Sequence, residues 1–242
     1  MKYTFKTWIT PHDLDINNIA SASAVLRYLQ EAAYRHLQVC PPTMDELRAE
    51  NKVFVLSRVS YSIYEELRSG DELEVSTWPS EGKGVSFLRS GRITRNGSTV
   101  AELIAIWALI DPVTKSFWRT SDYTPAFEYE EPIELDMPSR FRIPKDTELS
   151  LVGEYTVRYN DVDVNRHMNN THYPDMLCSY IPSMIGRRVV NMSVSYLHEA
   201  PLGCELKIYC SKEDDGTFYM RSLLPDGTVN VEAQLIMENV HA

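Results

Sequence analysis

The chain has 242 residues, with 24 Lys and Arg against 34 Asp and Glu, giving a formal net charge of −10. Its basic residues are scattered, which argues against a nucleic-acid-binding surface as the main activity, although a local basic patch is still allowed. No uninterrupted apolar run approaches the roughly 20 residues of a membrane helix, so no membrane span is expected, and the length suits two domains of roughly 120 residues.

The opening MKYTFKTWITPHD lacks the apolar core of a signal peptide. Next, HDLDINNIA sets Asp13, Asp15 and Asn17 at alternate positions. Val25, Leu26, Leu29, Ala32, Ala33 and Leu37 then recur at helical spacing and predict an amphipathic helix over residues 21–39. Past CPPTMDELRAENK come runs rich in β-branched and aromatic residues, VFVLSRVSYSIY, DELEVSTW and VAELIAIWALID, which predict strands separated by turns such as RNGS. Residues 121–150 carry Pro125, Pro132, Pro138 and Pro144 with an acidic run, the composition of an extended linker packed on the surface.

Beyond the linker the order of elements starts again. NDVDVNRHMNN alternates Asp161, Asp163, Asn165 and His167 with Val162, Val164, Arg166 and Met168. If extended, it would project two carboxylates, a carboxamide and an imidazole from one face. Tyr173, Met176, Leu177, Tyr180, Ile181 and Met184 predict a second helix, followed by further strands and the turn PDGT.

The two halves align. HDLDINNIA matches NDVDVNRHM with Ile19 opposite His167, and YSIYEELRSGDELEV matches VSYLHEAPLGCELKI with Glu66 opposite Glu199. The offsets are 161 − 13 = 148 and 199 − 66 = 133, so about fifteen extra residues fall in the first half, around CPPTMDELRAENK. One helix followed by a meander of strands, present twice, predicts an α+β fold. It is the plan of a double hotdog, two tandem domains with an antiparallel sheet wrapped around a long helix.

The string D-V-D-V-N-R-H-M-N-N-T-H-Y resembles the signature of acyl-acyl carrier protein thioesterases, and LRYLQEAAYRHL, FVLSRVSYSIYEELRSGDELEVSTWP and IWALIDPVTKSFWR agree with it. Without a plastid-targeting extension, the chain looks like the bacterial form, expected in the cytoplasm. The resemblance implies hydrolysis of fatty acyl-phosphopantetheine thioesters on acyl carrier protein, the step that ends fatty acid synthesis, with no cofactor or metal. It assigns catalysis to Asp163, Asn165, His167 and Glu199. The expected domains are residues 1–120 for acyl-chain binding, a linker at 121–150, and residues 151–242 for catalysis. Along the first helix, Val25, Leu29 and Ala33 are expected to touch the acyl chain. A homodimer is compatible with this reading.

Thioester hydrolysis needs an activated water, donors for the oxyanion, and a proton for the departing thiol. His167 can relay protons with Glu199 as the partner that fixes its tautomer, Asn165 offers an uncharged NH2 donor, and Asp163 is expected to hold that amide. Many plant members have a cysteine after the glutamate, but here Ala200 follows, so direct attack by water is favoured. None of Cys40, Cys178, Cys204 and Cys210 is expected to be needed, and none forms a CxxC pair.

Other readings of the residues stand beside this one. Asp, Asn and Thr before a helix are ordinary caps, and Asn169, Asn170 or Thr171 is expected to cap the second helix. Asp13, Asp15 and Asn17, with no imidazole beside them, are expected to serve capping and turn structure. A calcium loop fails, because Arg166 stands where glycine is required and His172 where glutamate is. Coenzyme A thioesters are an alternative substrate, and a non-catalytic acyl-thioester binder or a hotdog dehydratase is an alternative function. Carrier proteins are acidic, so docking calls for a basic patch, either Arg140, Arg142 and Lys145 or Arg187 and Arg188.

Overall fold

Stretches rich in Val, Ile, Thr and aromatic residues fit a pleated, half-buried surface, and here they form strands. The computed structural model describes residues 1–137, 140–182 and 184–241; Pro138 of the linker lies outside the described residues. In the first half these elements are β1 (Tyr3–Trp8), α1 (Ala22–Val39), α2 (Met44–Ala49), β2 (Val53–Ile63), β3 (Glu72–Lys83), β4 (Ser86–Arg95), β5 (Ser98–Ile110) and the two-residue β6 (Phe117–Trp118). In the second half they are β7 (Leu149–Thr156), α3 (Tyr173–Cys178), β8 (Arg187–Tyr196), β9 (Glu205–Ser211), β10 (Thr217–Leu223) and β11 (Val229–Asn239).

All the strands join one antiparallel sheet in the order β1-β3-β4-β5-β2-β8-β11-β10-β9-β7, with β6 on β5. The second half repeats the first in reverse, so β2 and β8 meet as counterparts at the centre. Their register sets Ser60 opposite Ser193, the same position in the two copies, since 193 − 60 = 133. A pseudo-twofold relation between the halves therefore runs through this pair.

Apolar positions alternate along the strands and pack under α1. Leu73, Val75, Ile93, Leu103, Ala105 and Tyr61 meet Val25, Leu26 and Leu29 in one continuous core. The helix seats closely because β4 offers no side chain at Gly91, where a Cβ would stand 2.9 Å from Leu29 Cδ2. Ser21 caps α1, its side chain accepting from the Ala24 N–H. The cap is thus not one of the upstream motif residues. Asn96 and Gly97, both left-handed (φ 53° and 81°), make the two-residue turn between β4 and β5.

The second helix departs from expectation. Helical spacing predicts it to run to Met184, but α3 ends at Cys178 and Tyr180 and Ile181 pack from a turn. Pro182 is the reason, because the residue before a proline is pushed out of the helical region. Asn169, one of the predicted caps, accepts from Thr171 N–H at the short 3-10 turn that leads into α3. The extra first-half residues form the end of α1 and α2.

The linker covers the outer face of the first half, where Ile133 packs on Trp78 and Ile104. Trp78 Nε1 donates to Glu131 O, and Ile133 N–H donates to Ser90 Oγ. Among the described residues, no helix is long and apolar enough to cross a membrane.

Candidate active site

After β7 the chain makes a 3-10 turn over Tyr159–Asp161 and then closes tightly, rather than extending as the alternation suggests. Val162 bridges Met168, Asp163 N–H donates to His167 O at 3.1 Å, and Arg166 N–H donates to Asp163 O at 2.9 Å. Arg166 takes a left-handed φ of 66° to allow this. The carboxylate of Asp163 accepts from the Asn165 backbone N–H at 2.8 Å, so it holds the turn and not the Asn165 amide.

The turn is laced to the segment after β8. Met168 N–H donates to Ala200 O, and His167 bridges Pro201. This brings Glu199 to the imidazole, with His167 Nε2 3.3 Å from Glu199 Oε2. The His167 side chain is half-buried and that of Glu199 exposed. At the exposed tip of the turn, Asn165 has no side-chain hydrogen bond to any described residue. His167 and Glu199 thus come together, while Asp163 and Asn165 belong to the turn that precedes His167, with the Asp163 carboxylate on the Asn165 backbone N–H.

The first half contains the same turn 148 residues earlier. Asp15 N–H donates to Ile19 O, Asn18 N–H to Asp15 O, and Ala20 N–H to Leu67 O. Asn18 takes the left-handed φ of 60°, and Asp15 accepts from the Asn17 N–H. The side chains differ. Ile19 is buried where His167 would be, and Asn17 donates to the carbonyls of Met184 and Arg187 while accepting from Gly186 N–H. Glu66 is occupied by Arg68 and His241. A cavity of about 280 Å³ lies beside this copy, between Asn17, Ile19 and Asp175. Volume and chemistry therefore disagree, and chemistry decides, because the cavity has no imidazole.

The start of α1 lies against the catalytic copy: Ser23 Oγ donates to Thr171 O, and Arg27 stands 3.7 Å from Asp175. Further along, Leu29 and Ala33 line a small cavity beneath the helix. Val25 lies in the core but outside that lining. Arg89, on β4, lines it too and is the residue that sequence reasoning misses. Phe87, Arg89, Gly91 and Ile93 alternate inward, so the available signal is a charged residue in an otherwise apolar series.

All four cysteines are free. Burial raises each thiol, with Cys178 pushed up to about 12, Cys210 to about 11, and Cys40 and Cys204 also raised. None is poised as a thiolate nucleophile.

Two pseudo-symmetric halves on one sheet, with a polar turn kept twice and an imidazole kept once, define a tandem hotdog protein. The chain belongs to the acyl-ACP thioesterase family: the model of that family's N-terminal domain matches residues 1–124, and that of its C-terminal domain matches residues 144–237. A chloroplastic acyl-[acyl-carrier-protein] hydrolase of Cuphea viscosissima is 22% identical over 234 residues, covering 89% of this chain and 57% of the relative. The chloroplastic palmitoyl-acyl carrier protein thioesterase of Arabidopsis thaliana is 24% identical over 208 residues, covering 79% and 50%. The chain thus spans about half the length of the curated relatives it matches. Among solved structures, an acyl-ACP thioesterase from Bacteroides thetaiotaomicron has a TM-score of 0.84 at 20% identity, covering 98% of each chain. A 12:0-ACP thioesterase from Umbellularia californica also has a TM-score of 0.84, at 17% identity, covering 99% of this chain and 98% of the other.

Proposed function

We propose that the chain hydrolyses fatty acyl thioesters of acyl carrier protein in the cytoplasm, releasing free fatty acid and carrier protein and ending chain growth. Residues 151–242 supply the chemistry, residues 1–120 hold the acyl chain along α1 at Val25, Leu29 and Ala33, and residues 121–150 join them. The observation that carries this reading is the difference between the two turns: Asn17 has both amide heavy atoms engaged, whereas the Asn165 amide bonds to no described residue, in the turn that brings His167 to Glu199.

With Glu199 Oε2 3.3 Å from its Nε2, His167 would keep its proton on that nitrogen, which leaves the Nδ1 lone pair to take a proton from water as it attacks the thioester carbon. The Asn165 NH2 donates to the carbonyl oxygen as it gains charge. Collapse of the adduct breaks the C–S bond, and the proton held by His167 passes to the departing sulfur. Asp163 acts through the backbone, keeping Asn165 at the tip of the turn.

A carrier protein is acidic, and one of the two candidate basic patches is open to it. Arg187 pairs with Glu213 and Arg188 with Glu238, so that candidate patch is already neutralised. Arg140 and Arg142 make no ion pair with a described residue, and their charges bear on Arg58 and lower its pKa after burial. Arg58 stands opposite Ser195 on β8, the strand that leads to Glu199. An acidic carrier protein landing on this cluster would present its prosthetic arm toward the His167 turn.

The test is thiol release from a ladder of acyl-carrier-protein and acyl-coenzyme A thioesters. Faster release from the carrier series is expected, with the advantage lost in Arg140→Glu/Arg142→Glu. Equal rates on both series would move the substrate to coenzyme A, and no release from either would leave a binder or a dehydratase.

A further inference from the structure

Resting on the reading of α1 as the wall of the acyl site, we propose that the cavity beneath this helix receives a single oxygen function borne on the distal part of the acyl chain, held by donors from Arg89, Trp107 and Gln30. The lining is otherwise apolar, with Leu26, Leu29, Leu56 and Leu103 among its residues. An unsubstituted alkyl chain would suit those walls but has no acceptor for the polar groups set into them.

Those groups are donors. Arg89 is almost fully buried and has no carboxylate partner among the described residues. One of its terminal nitrogens meets His36 Nδ1 at 3.0 Å and Thr77 Oγ1 at 3.3 Å, and the rest of the guanidinium bonds to no described residue. Trp107 Nε1 and Gln30 Nε2 line the same space, buried and without a partner among the described residues. Tryptophan and arginine can only donate, and glutamine can turn either end of its amide inward. A buried donor without an acceptor is destabilising, so the Trp107 and Gln30 nitrogens, set into one apolar space beside the Arg89 guanidinium, call for an oxygen to be placed there.

The position along α1 points to the distal part of the chain. Ser23 touches Thr171 on the catalytic side, and the cavity is lined from Leu26 to Ala33. At 1.5 Å per helical residue, Gln30 and Ala33 lie roughly 10–15 Å along the helix from Ser23. The space is small as it stands, about 10 Å³, which is room for one water-sized group. It therefore fits a single oxygen function, and a resident water is the competing occupant.

The experiment uses the full chain and carrier-protein thioesters of matched length: unsubstituted, hydroxylated or oxidised to a ketone at successive distal carbons, and ending in a carboxylate. At least one oxygenated member is expected to exceed the unsubstituted chain about tenfold in kcat/KM, and Arg89→Leu or Trp107→Phe should bring that ratio to within about twofold. Preference for the carboxylate would assign an ion pair with Arg89, and preference for the hydroxyl or ketone a neutral hydrogen bond; both support the proposal. Trp107→Phe keeps an aromatic ring while removing the N–H together with the five-membered ring that carries it, so the test survives if Arg89→Leu fails to fold. Preference for the unsubstituted chain, with a ratio unmoved in both variants, would assign the donors to a resident water and overturn the proposal. Melting shifts with free oxygenated and unsubstituted fatty acids provide a readout without turnover. If no thioester is cleaved yet the oxygenated acids stabilise the protein selectively, the hydrolase reading fails and this one stands; equal shifts would count against it.

Discussion

Asn17 donates to two carbonyls of the 184–187 segment and accepts from Gly186, while its counterpart Asn165 bonds to no described residue through its side chain. Asn17→Ala should therefore lower stability by about 1–3 kcal/mol, through carbonyls and an N–H left unpaired. Its turnover should stay near that of the parent. Asn165→Ala and His167→Ala should lower turnover at least about a hundredfold with melting unchanged, as befits an oxyanion donor and a proton relay. Kinetics run beside thermal melts check both, and an inactive Asn17→Ala would show that both turns work. The residue types of this site are visible in the sequence, and so is the substitution of Ile19 for the imidazole. What alternation could not reveal is that Asp163 turns its carboxylate onto the Asn165 N–H, because the left-handed Arg166 closes a turn where an extended strand would keep the side chains aligned. His36 also escapes a sequence reading. Burial, then Arg89, then the N-terminal ammonium push its pKa down to about 4 from 6.5, so the folded state holds it neutral. A depressed value means that the stability is complete above about 6.5 and is lost as pH falls toward 4, to an extent on the order of 3 kcal/mol. Urea midpoints at pH 7 and pH 4.5 should draw closer together in His36→Gln; an equal acid loss in both proteins would remove His36 from the account.

At the scale of elements, α1 and α3 explain why one half holds chain and the other does chemistry. The 18 residues of α1 lie along the first-half strands, with Gly91 letting the helix approach, whereas α3 has only six. A longer helix over a longer apolar floor offers the greater length of wall for an alkyl chain. Enlarging Ala33 to Leu or shrinking Leu29 to Ala should shift chain-length preference by about two carbons either way, each methylene being worth about 0.8 kcal/mol of burial. Leu29→Ala should also destabilise by about 2–5 kcal/mol as a core truncation. Hydrolysis rates across the thioester ladder decide this: if Met176 or Tyr180 variants move the preference and α1 variants move only stability, the chain lies in the other half. The strands were largely legible, because β-branched and aromatic runs ended at turns such as Asn96–Gly97 whose backbone needs those residues. The end of α3 was not, since Tyr180 and Ile181 continue the helical spacing and are covered by packing against Gly153 and the core, from a turn that Pro182 imposes. Periodicity reports which residues are covered, and two different backbones can cover the same ones.

The whole molecule is bound at a seam between counterparts. β2 pairs with β8 from Arg58 to Ser62, the hydroxyls of Ser60 and Ser193 lie 2.7 Å apart, and the Tyr61 hydroxyl meets Met192 sulfur. Contacts cross in both directions: buried Arg188 of the second half reaches the carbonyls of Ile63 and Tyr64, and Asn17 of the first holds the 184–187 segment. Neither half therefore has a finished surface. Residues 1–124 alone would leave β2 as an edge strand, paired with β5 on one side and open on the other, with Val59, Tyr61 and Ile63 losing part of their cover. Because the seam already joins equivalent positions, a second copy of the first half could pair β2 with β2 about Ser60 in an isologous dimer. Expressed alone, residues 1–124 should be recovered as a dimer or a larger assembly, without thioesterase activity because Ile19 stands in place of the imidazole. Light scattering after size exclusion measures this directly. A folded monomer melting as cooperatively as the full chain would show that the seam contributes little, and that the halves are joined by the linker more than by the sheet.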